Sequence, residues 1–276
     1  MKAFQVKAPH DYQVAEVDPP KVAAGEALVR VAFAGICGSD MHIIHGDNAF
    51  VRFPRITGHE FAGVVEAVGE GVADVAVGDR VCIDPVISCG ECYPCRIGRP
   101  NVCSSLEVIG VHRDGGFEEF VAVPAANVHH LPEHIGLDAA ALVEPYTIAA
   151  NVLDRMQPHP GDRLMILGAG VIGLTILQMA LAKGIEEVIV TDVINERLVA
   201  AKQLGATQVF NSREQDVEKE VLALTQGEGI PLIADAACVP ALLPQMLRLA
   251  SPAGRIGLLG FSVQPSELVQ LEVIKK

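Results

Sequence analysis

The feature that most narrows the fold is a glycine run in one particular setting. Gly168-Ala169-Gly170-Val171-Ile172-Gly173 reads GxGxxG, directly follows the apolar run Arg163 to Leu167, and leads into a helix-length stretch, Ile172 to Lys183. In a strand–turn–helix unit the first glycine makes the turn, the second lets backbone approach a pyrophosphate, and the third packs helix on strand. The helix N-terminus then faces the ligand's negative charge, which makes Gly168, Gly170, Val171, Ile172 and Gly173 the candidate cofactor-binding residues. Asp192 ends the next apolar run about 20 residues on, where a carboxylate accepts hydrogen bonds from a ribose 2′-hydroxyl and repels a 2′-phosphate. NAD is therefore favoured over NADP. Arg197 keeps NADP open, because a guanidinium can accept a phosphate; its other reading is a solvated charge on a helix.

The setting repeats. Glu187 to Thr191, Gln208 to Phe210, Leu232 to Asp235 and Arg255 to Leu259 are strand-length, and Glu196 to Leu204 is a second helical stretch among them. Alternation of this kind predicts a doubly wound parallel sheet of the Rossmann type. Before it the rhythm differs. Ala27 to Phe33, Gly63 to Val68, Arg80 to Ile83 and Glu119 to Val123 are β-branched runs separated by Gly, Pro and Asp turns, as in an irregular antiparallel β domain. Pro158-His159-Pro160-Gly161-Asp162 punctuates the join, and the expected domains are 1–150 and 151–276.

Of the seven cysteines, Cys89, Cys92, Cys95 and Cys103 form a CxxCxxC run with a fourth member after seven residues, within a loop containing Gly90, Pro94, Gly98 and Pro100. Closely spaced soft ligands on a turning backbone suit a closed tetrahedral zinc site, which holds a loop together and does no chemistry. An iron–sulfur cluster also accepts four cysteines, and spacing alone leaves that open. A second constellation lies upstream: Cys37, with Ser39, Asp40 and His42 close behind it, and His59-Glu60. Zinc accepts cysteine, histidine and carboxylate, and a catalytic site keeps one position for water or substrate. Cys82 and Cys238 match no motif and read as small core residues.

Together Gly35 to His42, Gly58-His59-Glu60-Phe61-Ala62-Gly63 with Val64, Val65 and Gly69, and the four-cysteine loop resemble the zinc-type medium-chain alcohol dehydrogenase family. Glu144-Pro145-Tyr146 and the stretch from Gly110 to Phe117 resemble its starvation-sensing and L-galactonate dehydrogenase branch; sorbitol and threonine dehydrogenases are more distant. The resemblance covers essentially the whole chain. It implies a GroES-like catalytic domain before the Rossmann-type sheet, with one catalytic and one structural zinc. Cys37 and His59 are implied as ligands of the catalytic zinc, Glu144 stands where other members place a cysteine ligand, and Glu60 is an alternate, water-exchanging ligand. Ser39 and His42 match the family's proton-relay positions. The implied reaction moves hydride between a secondary alcohol of a small polyol or sugar acid and NAD, and relatives are homo-oligomers. Family members also continue past the fifth strand of the sheet, so the chain is expected to lack a last strand. The competing expectation is a non-catalytic remnant that keeps zinc and cofactor as a binding or regulatory partner; the intact ligand set argues against it.

Composition excludes other classes. A net charge of −13 with no clustered Lys or Arg speaks against nucleic acid. No apolar run approaches the roughly 20 residues of a membrane span. The amino-terminal segment has no long apolar core of a secretory signal, so the expected location is the cytoplasm.

Overall fold

Leu164, Met165, Ile166 and Leu167 are consecutive and all but completely buried, which in a strand requires cover on both faces. The computed structural model, which describes residues 1–260 and 264–276, supplies that cover. The chain divides into two units, Met1–Glu144 and Pro145–Lys276, so the division falls six residues before the expected one.

The second unit contains β11 (Arg163–Leu167), α5 (Val171–Ala182), β12 (Glu187–Asp192), α6 (Asn195–Gln203), β13 (Gln208–Asn211), α7 (Val217–Leu224), β14 (Ile230–Asp235), α8 (Leu243–Leu249), β15 (Ala250–Leu258) and α9 (Gln270–Ile274). It also holds most of α4 (Val143–Met156). The five strands are all parallel, in the order β13-β12-β11-β14-β15. Side chains alternate between two cores. Leu164 and Ile166 pack with Ala149, Leu153, Ile176 and Leu177, whereas Met165 and Leu167 pack with Val217, Val221, Met246 and Leu249 on the opposite face. Each fully buried Leu, Ile or Met contributes about 1.5–3 kcal/mol, so this central strand anchors the unit. The sequence order reverses beside β11, and there the glycine run leaves its carboxyl end. Such a switch point opens a crevice for ligands.

The first unit is β-rich. Its strands are β1 (Lys2–Ala8), β2 (Asp11–Glu16), β3 (Glu26–Gly35), β4 (Arg55–Ile56), β5 (Glu60–Val68), β6 (Arg80–Ile83), β7 (Val86–Ile87), β8 (Glu107–Val108), β9 (Phe120–Pro124) and β10 (Val128–His130). Three short helices join them: α1 (Gly38–His45), α2 (Tyr93–Arg96) and α3 (Leu137–Ala140). An antiparallel sheet in the order β10-β6-β5-β3-β9 packs Ala27, Val29, Phe61, Val65, Val81, Val121 and Val123 inward, and a three-stranded sheet, β2-β1-β4, accompanies it. Expected strand ends agree within a few residues, except that β15 begins five residues early at Ala250. Cys82 is buried as expected. Cys238 is not: it is exposed, in the loop after β14, at a φ of 58°, so it is no core residue.

Register carries the consequence for function. β3 and β5 are antiparallel, with Val31 opposite Gly63 and Gly35 opposite Glu60, and the pairing shifts between Val31 and Phe33. At that shift the backbones close in, so that a Cβ on Gly63 would run into the carbonyl oxygen of Arg30. Replacing Gly63 with alanine is expected to cost about 1–3 kcal/mol through this overpacking, read as a lower urea midpoint with unchanged m-value.

Candidate metal centres and cofactor site

The Gly35–Glu60 pairing sets the end of β3 beside the start of β5. Cys37 follows β3 as the N-cap of α1, and His59-Glu60 opens β5, so residues some twenty positions apart become neighbours. One donor atom each from Cys37, His59 and Glu60 lies within 4.8 Å of the others. Gly35 makes the room, since a Cβ there would collide with Glu60 Oε2. His59 is buried, its Nε2 sits 3.5 Å from Ser39 Oγ, and its Nδ1 has no hydrogen-bond partner. A buried polar atom left unpaired costs about 1–3 kcal/mol, and a metal bound at this imidazole would compensate part of that cost. Burial pushes the Cys37 thiol and the Glu60 carboxyl above their ordinary ranges; Glu60 raises the thiol further, whereas His59 and the Cys37 hydrogen bond pull the carboxyl back down. A divalent cation bound there would favour the ionised form of both groups.

Glu144 stands outside that tight trio but feels its charges. Burial raises its carboxyl, His59 lowers it, and Glu60 and Asp84 raise it again. Ser39 and His42 both lie on α1. His42 is exposed, with Nδ1 3.9 Å from Asp47 Oδ2.

The residue that organises this corner was not singled out in the sequence. Asp40 is buried, accepts the Cys37 N–H at 2.8 Å through Oδ2 and the Gly58 N–H at 3.2 Å through Oδ1, and lies 3.9 Å from His59 Nδ1. Burial pushes its carboxyl up; the Cys37 donor, His59 and the Gly58 donor oppose that in turn. A carboxylate three residues after a helix N-cap is a capping signal, and it was legible in Cys37-Gly38-Ser39-Asp40.

The four cysteines converge on one point, with all four sulfurs within 4.8 Å of one another. Cys92 and Cys95 are 3.4 Å apart, Cys92 and Cys103 3.7 Å, and Cys103 and Cys89 3.4 Å. Zinc bound tetrahedrally at about 2.3 Å sets its sulfurs about 3.8 Å apart, so the set fits one ion. A multi-iron cluster spreads its thiolates over several metals and would need a wider frame. Backbone donors prepare the charge. The Ser104 N–H points at Cys92 Sγ and pulls that thiol down to about 6, while the Cys89 and Ser105 N–H groups do likewise for Cys103. Cys95, partly desolvated and beside the other thiols, is pushed up to about 12. Cys92 and Cys103 are thus both eased towards thiolate, and a bound cation would displace the remaining thiol protons to solvent.

In the second unit the three glycines divide the work as their spacing implied. Gly168 turns at a φ of 94°, Gly170 has open space where a Cβ would stand, and a Cβ on Gly173 would strike the Gly168 carbonyl. Val171 and Ile172 begin α5, whose first turn lacks a side-chain cap, leaving its N–H groups for a ligand. Asp192 does more than expected. Oδ2 accepts the Ala169 N–H at 2.7 Å, and Oδ1 accepts the Val193 and Ile194 N–H groups at 2.7 and 2.9 Å. A carboxylate has about four lone-pair positions, so roughly one remains for a ribose hydroxyl. Arg197 Nη1 lies 3.8 Å from Asp192 Oδ2, which already engages its charge.

A β domain carrying two convergent donor sets, followed by a dinucleotide-type sheet, defines a zinc-binding dehydrogenase architecture. Comparisons agree: the family model described as "Alcohol dehydrogenase GroES-like domain" matches residues 23–133, and "Zinc-binding dehydrogenase" matches residues 171–276. Starvation-sensing protein RspB of Escherichia coli is 48% identical over 279 aligned residues, covering all of this chain and 81% of RspB. Sorbitol dehydrogenase of Bacillus subtilis is 34% identical over 96% of this chain and 76% of its own. The crystal structure of rspB from E. coli CFT073 complexed with NADH superposes with a TM-score of 0.93 at 48% identity, over 99% of this chain and 80% of that one. The chain belongs to the zinc-type alcohol dehydrogenase family.

Replacing Asp40 with alanine would orphan two N–H groups. The expected cost is about 2–6 kcal/mol, with loss of metal from the Cys37 site, read by urea unfolding and elemental analysis.

Proposed function

We propose that the protein is a zinc-dependent oxidoreductase that moves hydride between a secondary alcohol of a small polyol or sugar acid and NAD. The observation that carries this reading is the convergence of Cys37, His59 and Glu60 donor atoms around one point. When bound, zinc would supply Lewis acidity at an alcohol or carbonyl oxygen, and nicotinamide the hydride acceptor or donor.

The chain's own residues then have separable tasks. Cys37 and His59 hold the metal, with Glu60 and Glu144 as the carboxylates available to complete or exchange in the set. A carboxylate at position 144 makes the centre harder than a second thiolate would, and suits a substrate presenting several hydroxyls. Asp40 fixes the two loops that carry the ligands. Ser39, whose Oγ is 3.5 Å from His59 Nε2, would accept the alcohol proton as it gives up its own hydroxyl proton, which His42 on the same helix would receive by way of the cofactor ribose and pass to solvent. Glycines 168, 170 and 173 with the first turn of α5 seat the pyrophosphate. The last acceptor position of Asp192 takes a ribose hydroxyl, and its hold on Arg197 disfavours a 2′-phosphate, which supports NAD over NADP. Cys89, Cys92, Cys95 and Cys103 bind a second, structural zinc.

The polyol assignment draws on the similarity to a sorbitol dehydrogenase, and NAD on that to an NADH complex. Nothing favours the non-catalytic alternative. Among the described residues no cysteine forms a disulfide, so all of the proposed thiolate ligands are available to metal. No described helix is long and apolar enough to cross a membrane.

Elemental analysis combined with NADH absorbance tests the reading. Two zinc ions per chain and NAD-dependent turnover of a polyol or sugar acid are expected; Cys37→Ala should retain one zinc and lose at least about 10³-fold in kcat/KM. Absence of turnover across polyols and sugar acids by zinc-replete protein would sink the proposal. Separately, Gly173→Ala should weaken NADH binding at least about tenfold in a fluorescence titration while both zinc ions stay bound.

A further inference from the structure

A polar cavity of about 400 Å³ in the first unit shares no residue with either metal group; its wall includes Met1, Asp18, Lys21, Glu26, Arg113, Asp114 and Glu118. That volume lies in the range of small-molecule sites. Most of its charges are already engaged. The Met1 ammonium donates to the Val17 carbonyl and lies 3.5 Å from Glu16. Arg113 pairs with Glu26, and Asp114 accepts from Arg55 Nη1 at 2.8 Å and from the Ile56 N–H at 3.1 Å.

Of the three that have no hydrogen bond or ion pair among the described residues, Asp18 and Lys21 are exposed and Glu118 alone is buried. It is only 9% exposed, and among the described residues its carboxyl has no hydrogen bond and no ion pair. The charge that acts on it is the like-signed Asp114; neither Lys21 nor Arg113 exerts a resolved pull. Its backbone cannot carry it outward cheaply. Glu118 bridges Ala3, the Phe4 N–H donates to the Phe117 carbonyl at 2.8 Å, and the Glu119 N–H to the Lys2 carbonyl at 3.2 Å. The backbone at Glu118 is thus fixed on the cavity wall, where an unpaired buried acid is costly. Burial, with Asp114 adding to it, pushes the group up to about 8, so at neutral pH it waits protonated.

We propose that this cavity binds a small organic ammonium ion, with its charged nitrogen against Glu118. Arg113 and Arg55 are engaged, which leaves an anion the exposed Lys21 and no buried cation on this wall. The acids do not converge within metal-ligand distance, so a bare metal ion is disfavoured. An alkylammonium supplies the donors and the counter-charge that the Glu118 carboxyl lacks, with its chain against Ile56 and Val121. Binding at neutral pH expels the Glu118 proton to solvent as the ammonium takes its place.

Calorimetry of the zinc-replete protein with putrescine, and with 1,4-butanediol as the uncharged control, tests this without using turnover. Putrescine should bind and the diol should not. Paired buffers of different ionisation enthalpy at pH 7 should show release of close to one proton, and affinity should rise about tenfold per pH unit from pH 6 to 8, then level off. Glu118→Gln imitates the protonated acid and so should keep the fold; it should weaken binding about tenfold or more and abolish the proton release. Equal binding of the diol, no putrescine heat up to millimolar concentration, or binding that survives Glu118→Gln, as it would if the amine sat on a metal, would each overturn the proposal.

Discussion

Asp40 is the constraint on which the metal-binding corner depends. Two backbone N–H groups, from Cys37 and Gly58, end on its one carboxylate, and those residues lie in the two loops that carry the sulfur and the imidazole. Hydrogen bonds to a charged acceptor contribute about 1.5–3 kcal/mol each, against about 0–1 kcal/mol for an exposed ion pair such as Arg30–Glu66. The ligand geometry is therefore set from beneath, by the backbone, and not by the surface charges. Glycine at position 35 is the complement, because it leaves the space that the Glu60 carboxylate occupies.

The second unit uses the same device. Asp192 accepts three backbone N–H groups, one from the glycine turn and two from the loop after β12, and so ties the phosphate-binding segment to the neighbouring strand. In each unit a buried aspartate converts two loops into one rigid element before any ligand arrives. Preorganisation of this kind reduces the ordering cost that binding would otherwise carry. The four-cysteine loop achieves the same end differently, with N–H groups of Cys89, Ser104 and Ser105 turned toward the sulfurs.

Much of this was legible. The glycine spacing after Leu167 announced the turn, the open second position and the close third one, because each role depends on a Cβ being absent at a given step along a strand–turn–helix path. The cysteine loop was legible because its ligands are near in sequence. Strand runs in the second unit were legible because both faces are buried, which leaves near-continuous apolar stretches. Cys238 was misread: a cysteine in an apolar setting looks like core, and nothing local discloses that its loop turns outward at a positive φ. Asp40 was given no role of its own because a polar residue beside a cysteine reads as part of a motif, whereas its role depends on Gly58, eighteen positions on.

By itself, then, the sequence determined the local chemistry: which donors exist, where backbone must turn, and which segments must be covered on both faces. These follow from residue type and short spacing, which act through sterics and burial over a few residues. Only the tertiary structure decided which distant groups meet. The β3–β5 register brings Cys37 to His59 and Glu60, Asp192 divides its acceptors between protein and ligand, and Glu118 ends against a cavity with no partner. Those outcomes depend on strand pairing, where a shift of one residue would turn every side chain to the opposite face, and no short-range rule in the chain specifies that choice.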